Sequence, residues 1–173
     1  MRSPKHILLF LILVPLLCPS QSKLEEGFNN LVNKTWFSKG TWKSGAPFFQ
    51  EISLKYGLDK NIVVTSTKSM IIKDKTSKYI ESAHGIRRFN TKKDEIEFWE
   101  FDIRGQLTTG RVIVEGKNIW YKYKYGDEVI SDFWQYENDN YYKLTVGVYN
   151  DGKWKKKYLE TELINQTQKQ IKK

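Results

Sequence analysis

The side chains best suited to chemistry in this sequence are aromatic residues that recur on successive segments of alternating pattern. The set comprises Tyr121, Tyr123, Trp134 and Tyr142. Tyrosine and tryptophan combine an apolar ring with one hydrogen-bonding group, which suits a site for a mostly apolar small molecule with a polar end. We interpret these four as candidate ligand-binding residues. The alternative is that the same rings fill a packed core that has no cavity.

A second candidate group lies in and near residues 95–111, where aromatic, acidic and basic side chains are mixed. Phe98, Trp99 and Phe101 break strict alternation, so a bulge and apolar contacts on both faces are expected there. Carboxylates and arginines on adjacent strands can pair across a lumen or on the outside of a sheet. Arg87, Trp99 and Arg111 are therefore added to the candidate ligand-binding residues.

Classical catalytic and metal-binding patterns are mostly missing from the sequence. His84 is the only histidine beyond the amino-terminal segment, and the single cysteine, Cys18, belongs to that segment. A zinc site normally needs several histidine or cysteine ligands, and neither a Gly-x-Ser-x-Gly turn nor a glycine-rich phosphate loop is present. We predict no catalytic residue, metal ligand or cofactor. Catalysis by a pair of carboxylates, Glu97 with Glu81 or Asp102, is kept as a third alternative.

The elements that must position these side chains are short strands. From residue 35 onward the apolar period is two, and turn-forming residues recur roughly every 8 to 15 positions, which is typical of antiparallel β structure. Asn150-Asp151-Gly152 is the strongest hairpin signal. Ten strands are predicted between residues 34 and 164. One short helix is predicted over residues 24–32, because Leu24, Phe28 and Leu31 share a helical face.

A meander of ten strands hides its edges most simply by closing into an up-and-down barrel. The alternative sandwich would need longer Greek-key connections, which the sequence does not offer. The alternation places Tyr121 and Tyr123 on one face and Trp120 and Lys122 on the other. It also places Arg87 on the face of Glu81. The fold class expected is therefore all-β, an antiparallel barrel of about ten strands.

The segment Lys39-Gly40-Thr41-Trp42 carries a Gly-x-Trp motif on the first strand, just after the short helix. This motif resembles the opening signature of the lipocalin-like, or calycin, barrels, and the meander over residues 35–164 extends the resemblance. The ten-strand count is similar to the fatty-acid-binding and nitrobindin-like branches. The chain departs from these branches in having neither a helix pair between the first two strands nor a suitable C-terminal histidine. The resemblance implies that Trp42 plugs the closed end of the barrel, covered by the helix that contains Phe28.

The amino-terminal segment has the pattern of a secretory signal peptide. Arg2 and Lys5 precede an apolar run of about eleven residues, which is shorter than the roughly 20 that a membrane-spanning helix needs. Cleavage is expected before Lys23. Cys18 lies where a lipid-modified cysteine would, but the leucines before it argue against a lipid anchor.

Three segments are therefore expected: a signal peptide at 1–22, a barrel domain at 23–164 and a polar basic tail at 165–173. The chain carries a formal net charge of +9, which permits contact with anionic partners, but no RNA-binding aromatic motif accompanies it. We predict no nucleic-acid partner and no membrane span. The preferred interpretation is a secreted or periplasmic lipocalin-like protein that binds a small, mostly apolar molecule in its lumen. The main alternative is a structural or surface-interaction module whose barrel is filled with side chains.

Overall fold

The computed structural model describes residues 23–73 and 76–165, without the side chains of residues 71–77. The predicted signal peptide, the possible lipid anchor at Cys18 and the tail beyond Asn165 lie outside the described residues.

One short helix precedes ten strands in the described part of the chain, which confirms the predicted fold class. Helix α1 spans Lys23–Phe28. The strands are β1 (Lys34–Thr41), β2 (Pro47–Gly57), β3 (Ile62–Lys73), β4 (Thr76–Asn90), β5 (Glu95–Asp102), β6 (Leu107–Glu115), β7 (Asn118–Tyr125), β8 (Glu128–Asn138), β9 (Tyr141–Asn150) and β10 (Lys153–Asn165).

The ten strands form a closed antiparallel barrel in which each strand pairs with its neighbours in the chain. The barrel closes where Trp36 of β1 lies opposite Asn165 of β10. Between β9 and β10 the chain turns at Asp151 and Gly152, whose φ angles are 51° and 72°. These two residue types tolerate a left-handed backbone, which is why the sequence predicted a tight hairpin here.

The inward face of the strands carries a continuous apolar core, as expected when every second residue of a strand points into a closed barrel. The largest fully buried side chain is Trp36. Helix α1 covers this end of the barrel, with Leu24 and Phe28 buried beneath it. The indole nitrogen Nε1 of Trp36 donates to the carbonyl oxygen of Leu31 at 3.0 Å and fixes the chain that links α1 to β1.

The expectation that Trp42 plugs the closed end is wrong. Trp36 lies beneath the helix, whereas Trp42 follows β1 at the opposite end of the barrel. At about 3.3 Å per strand residue, the two tryptophans are roughly 20 Å apart. Helix α1 is also shorter than the predicted 24–32. It ends at Phe28, and a turn continues to Asn33, whose φ of 58° redirects the chain into β1.

The bulge predicted around Trp99 is not present. Strand β5 pairs with β4 and β6 without a register shift, so Phe98 points inward while Trp99 and Phe101 point outward. A register shift occurs instead in β4, opposite Thr67 and Lys68 of β3. This shift places Glu81 outside the barrel and Arg87 inside, so the prediction that they share a face is wrong.

Candidate functional site

A cavity of about 220 Å³ lies inside the barrel, between the buried layer beneath helix α1 and the far end. Its lining is mainly apolar and aromatic, as a site for a small organic molecule requires. At the far end, the rings of Trp42 and Phe48 meet edge to face with centroids 5.3 Å apart. The apolar lining of the cavity also includes Ile52, Phe98, Trp134, Leu144, Val146 and Leu159.

The Arg87 guanidinium forms the centre of a polar wall in this cavity. Its Nη1 donates to Thr65 Oγ1 at 2.7 Å, its Nη2 to Glu100 Oε2 at 2.9 Å, and its Nε to the Tyr121 hydroxyl at 3.3 Å. Arg87 is only 5% exposed. Burial alone would lower the pKa of Arg87, but Tyr121 and Glu100 outweigh that effect and leave the pKa above its ordinary value. The positive charge is therefore held and matched within the wall.

Gly85 of β4 makes room for this arrangement. A Cβ atom at Gly85 would lie 2.1 Å from Arg87 Nη1 and 2.8 Å from Thr65 Oγ1. Any side chain at that position would displace the guanidinium from its partners. The geometry of the polar wall thus depends on a residue that contributes no functional group.

Asp132 of β8 supplies a second carboxylate to the lumen, next to the Arg87–Glu100 pair. Its Oδ1 accepts a hydrogen bond from the Tyr123 hydroxyl at 3.1 Å. Burial raises the pKa of Asp132 to about 7, with a further increase from the like charge of Glu100. The Tyr123 hydrogen bond and the Arg87 charge act in the opposite direction. Asp132 therefore changes charge near neutral pH.

Burial and the neighbouring Asp132 also raise the pKa of Tyr123, so this phenol stays protonated and available as a donor. Tyr121 behaves similarly, since burial raises its pKa more than Arg87 lowers it. Among the described residues that line the cavity, the ionic ones are Arg87, Glu100 and Asp132, and lysine is not among them. The charge of the wall is therefore neutral when Asp132 is protonated and negative when it is ionised.

The structure brings four of the seven predicted ligand-binding residues to this cavity. Arg87, Tyr121, Tyr123 and Trp134 all line it. The rings of Tyr121 and Trp134 lie 5.6 Å apart, and Phe98 meets Tyr121 edge to face at 5.2 Å. A ligand role for these residues stays a prediction. Their placement gives the cavity an aromatic wall beside its polar groups.

The other three predicted residues lie elsewhere. Tyr142 is fully buried near the closed end, where its ring meets Trp36 and its hydroxyl accepts a hydrogen bond from Asn30. Trp99 lies on the outer surface beneath the Arg88 guanidinium, 5.4 Å from the ring centroid. Arg111 is exposed on the outer face of β6. The sequence pattern thus identified aromatic and basic residues without separating lumen, core and outer face.

Sequence reasoning missed the two lumenal carboxylates. Asp132 lies between Ile130 and Trp134 on the inward face of β8, and Glu100 follows Phe98 on the inward face of β5. The sequence did carry a signal for them, since each is a charged residue on the apolar face of a strand. A buried charge without a partner is costly, so a buried charged residue usually has a partner or a function.

An aromatic cluster also lies on the outside of the barrel wall. Trp120 stacks on Phe133 with ring centroids 3.9 Å apart, and Tyr149 and Trp154 pack against it. Lys122 places its Nζ 5.8 Å from the Trp120 ring. Trp120 is only 8% exposed because its neighbours cover it. The outward position of Trp120 agrees with the strand alternation, but the assembly with the rings of β8, β9 and β10 was not foreseen.

The carboxylates of the hydrolase alternative are not assembled in the lumen. Glu97 contacts Lys93 and Arg88 on the outside, and hydrogen bonds from its neighbours lower the pKa of Glu97 to about 2. Glu81 lies near the exposed His84, and Asp102 accepts backbone hydrogen bonds in the β5–β6 turn. These contacts hold the three carboxylates in separate groups outside the lumen, so they do not support that alternative.

Two further properties concern the described ranges, 23–73 and 76–165. Within them, no group of three histidine, cysteine or acidic side chains is arranged to hold a metal ion. The same residues contain no helix with the length and apolarity needed to cross a bilayer.

The comparisons with known proteins give no match that names a family. No protein-family model matches the chain, and no similar curated protein is found. The closed ten-strand antiparallel barrel is consistent with a calycin-like fold, and that statement depends on the observed strand order alone.

Proposed function

We propose that this protein is a lipocalin-like carrier or receptor that binds one small, mostly apolar molecule in the lumen of its barrel. The observation that supports this function best is the cavity of about 220 Å³, with aromatic and aliphatic walls and a polar wall centred on Arg87. Pockets of this composition bind an apolar body and use a few polar groups to orient it.

The size of the cavity limits the size of the ligand. An apolar protein cavity of about 150 Å³ holds benzene, with six heavy atoms. Scaling from that case, the lumen of about 220 Å³ accommodates about nine heavy atoms. This corresponds to one aromatic ring with a short substituent. A long-chain fatty acid exceeds that size.

We also propose a secreted or periplasmic location. The basic start, the short apolar run and the small residues near Lys23 support this location, because they are the three parts of a signal peptide. Sequencing the amino terminus of the exported protein tests it. A start near Lys23 is expected, and a lipid-modified Cys18 would replace the soluble form with a membrane-anchored one.

Binding of ethylbenzene, which has eight carbon atoms, tests the proposed function directly. Isothermal titration calorimetry on the wild-type protein is expected to give one site per chain. Val146 lines the cavity, and Val146→Phe adds four heavy atoms where about nine fit. The space left is too small for ethylbenzene, so this variant is expected to abolish binding. Val64 pairs with the exposed Ile86 on the outer face. Val64→Phe therefore adds the same atoms outside the lumen and should leave binding unchanged.

Two results would reject the proposed function. The first is no ethylbenzene binding by the wild-type protein at the solubility limit of the probe. The second is equal binding by the wild type and Val146→Phe, which would place the site outside the lumen. Thermal unfolding of both variants shows that a loss of binding does not come from a loss of fold.

A surface-interaction module is the second candidate function. The outward cluster of Trp120, Phe133, Tyr149 and Trp154 favours it, because large aromatic groups are enriched where proteins meet partners. This candidate expects no ethylbenzene site in the lumen. The titration with Val146→Phe therefore separates the two functions.

A further inference from the structure

We propose that the ligand carries a protonated amine at its polar end and that the Asp132 carboxylate binds this ammonium group. The inference depends on the proposed function, since it names the chemical class of molecule that the lumen accepts. It also specifies orientation, because the polar end must face β8 while the apolar body lies against the aromatic walls.

The Arg87 guanidinium is already engaged within the wall. All three of its guanidinium nitrogens donate to groups of the wall, and one of those groups is the Glu100 carboxylate. An anionic ligand would have to displace Glu100 from Arg87 inside a largely buried site. It would also meet the Asp132 carboxylate, which carries the same charge. The wall therefore disfavours carboxylate or phosphate ligands.

The Asp132 carboxylate can accept further hydrogen bonds. An ionised carboxylate accepts at two oxygens, with about four lone-pair positions. Among the described residues, the hydrogen bond that Asp132 receives is the one from Tyr123 to Oδ1. Asp132 also keeps some exposed surface and lines the cavity. An ammonium group supplies three donors and the opposite charge, so it can bind at the free acceptor sites of the Asp132 carboxylate.

Aromatic rings lie next to Asp132 on the inner face of the barrel. Tyr121 lies directly opposite Asp132 in the pairing of β7 with β8, and Trp134 is two residues further along the same face. The faces of such rings attract cations, most strongly in sites shielded from water. The Arg87 guanidinium already uses this attraction, since its Cζ lies 5.1 Å from the Tyr121 ring centroid. Because Glu100 matches the Arg87 charge, an ionised Asp132 leaves the wall negative, and its surroundings favour a cation over a neutral group.

The groups that face Asp132 also set the pH dependence. Tyr123 and Arg87 favour its ionised form, while burial and Glu100 oppose it, and the balance places the pKa of Asp132 at about 7. At two pH units below the pKa only about one carboxyl in a hundred is ionised. Affinity for a protonated amine is therefore expected to rise as pH increases from 5 to 8. An affinity that depends on apolar contacts alone should stay nearly constant.

Four probes of similar shape test the inference: phenethylamine, 2-phenylethanol, phenylacetate and ethylbenzene. For the wild-type protein at pH 8 we expect phenethylamine to bind at least about tenfold more tightly than 2-phenylethanol, a difference of about 1.4 kcal/mol. Phenylacetate is expected to bind most weakly. Lowering the pH to 5 should remove most of the preference for the amine.

Asp132→Asn keeps the shape and an acceptor for Tyr123 but removes the charge. This variant is expected to bind phenethylamine and 2-phenylethanol equally while its affinity for ethylbenzene is unchanged. The matched control is Asp127→Asn, which removes the same charge from the exposed turn between β7 and β8 and should behave as the wild type.

The outcomes separate this inference from the proposed function. If ethylbenzene binds but phenethylamine binds no more tightly than 2-phenylethanol to the wild type, the amine assignment is wrong and lumenal binding stands. A preference retained in Asp132→Asn also overturns it. Absence of binding by all four probes rejects the proposed function itself. If Asp132→Asn does not fold, the wild-type pH profile and the comparison with phenylacetate still decide the question.

Discussion

Asp132 ionises inside the lumen with a pKa of about 7, against an ordinary value of 3.8. Because folding raises this pKa, the carboxyl stabilises the folded state fully at pH values below its unfolded pKa. That contribution is lost as the pH rises through about 7, since the folded state must then accept a partly desolvated charge. Replacing Asp132 with asparagine removes this titration. The free energy of unfolding of Asp132→Asn should therefore rise relative to that of the wild type as the pH increases.

The magnitude follows from the pKa difference. Each pKa unit corresponds to about 1.4 kcal/mol, so the difference of about three units between 3.8 and about 7 gives up to about 4 kcal/mol. The difference between variant and wild type should grow by up to this amount between pH 4 and pH 8. At about pH 2 and below it should be constant, because the carboxyl is then protonated in both the folded and the unfolded state.

Urea unfolding at pH 4, 6 and 8, followed by tryptophan fluorescence, measures this difference. Subtracting wild-type values from those of the variant cancels the titration of groups that do not interact with Asp132. Asp127→Asn, which removes a carboxyl from an exposed turn, is the control. A difference between Asp132→Asn and the wild type that stays constant from pH 4 to 8, or that falls with pH, would refute the assigned burial of this carboxyl.

Two further predictions concern close packing and the partly buried ion pair of Arg87 with Glu100. A Cβ at Gly110 would lie 2.2 Å from the Lys122 carbonyl oxygen, so Gly110→Ala should destabilise the barrel by about 1 to 3 kcal/mol in urea unfolding. A Cβ at Gly57 would meet only side-chain atoms, the nearest at 3.2 Å, so Gly57→Ala should cost less, and an equal cost would contradict the reasoning. Arg87→Met removes the partner of the Glu100 carboxylate, whose side chain is 34% exposed. It should lower the free energy of unfolding by about 1 to 3 kcal/mol, between the effects of breaking an exposed and a fully buried ion pair. The double variant with Glu100→Gln should recover part of that loss, and strictly additive losses would show that the pair is not coupled.

Much of the fold could be predicted from residue order, because strand alternation and turn chemistry are local properties. The hairpin at Asp151 and Gly152 needs only two residues that tolerate positive φ. The inward position of Tyr121 and Tyr123 follows from the period of two between them. Ten such strands with short connections leave few arrangements other than a closed meander, so the barrel was also within reach of the sequence.

The end of the barrel that the helix covers could not be predicted in the same way. A Gly-x-Trp motif identifies a tryptophan on the first strand but does not say which end the helix covers. In the structure Trp36 fills that end and Trp42 lines the cavity. The choice depends on the six-residue length of α1 and on the turn at Asn33, which together bring the helix back over Trp36.

Tertiary structure alone decided the composition of the candidate site. Arg87, Glu100 and Asp132 come from β4, β5 and β8, and alternation gives the face of each residue but not its height along the barrel. The register shift in β4 even reverses the expected relation between Arg87 and Glu81. Strand pairing fixes these heights, and the Arg87 Nη2 to Glu100 Oε2 distance of 2.9 Å results from it. Whether a lumen stays open depends on the summed volumes of side chains from all ten strands, a property that no single segment of sequence carries.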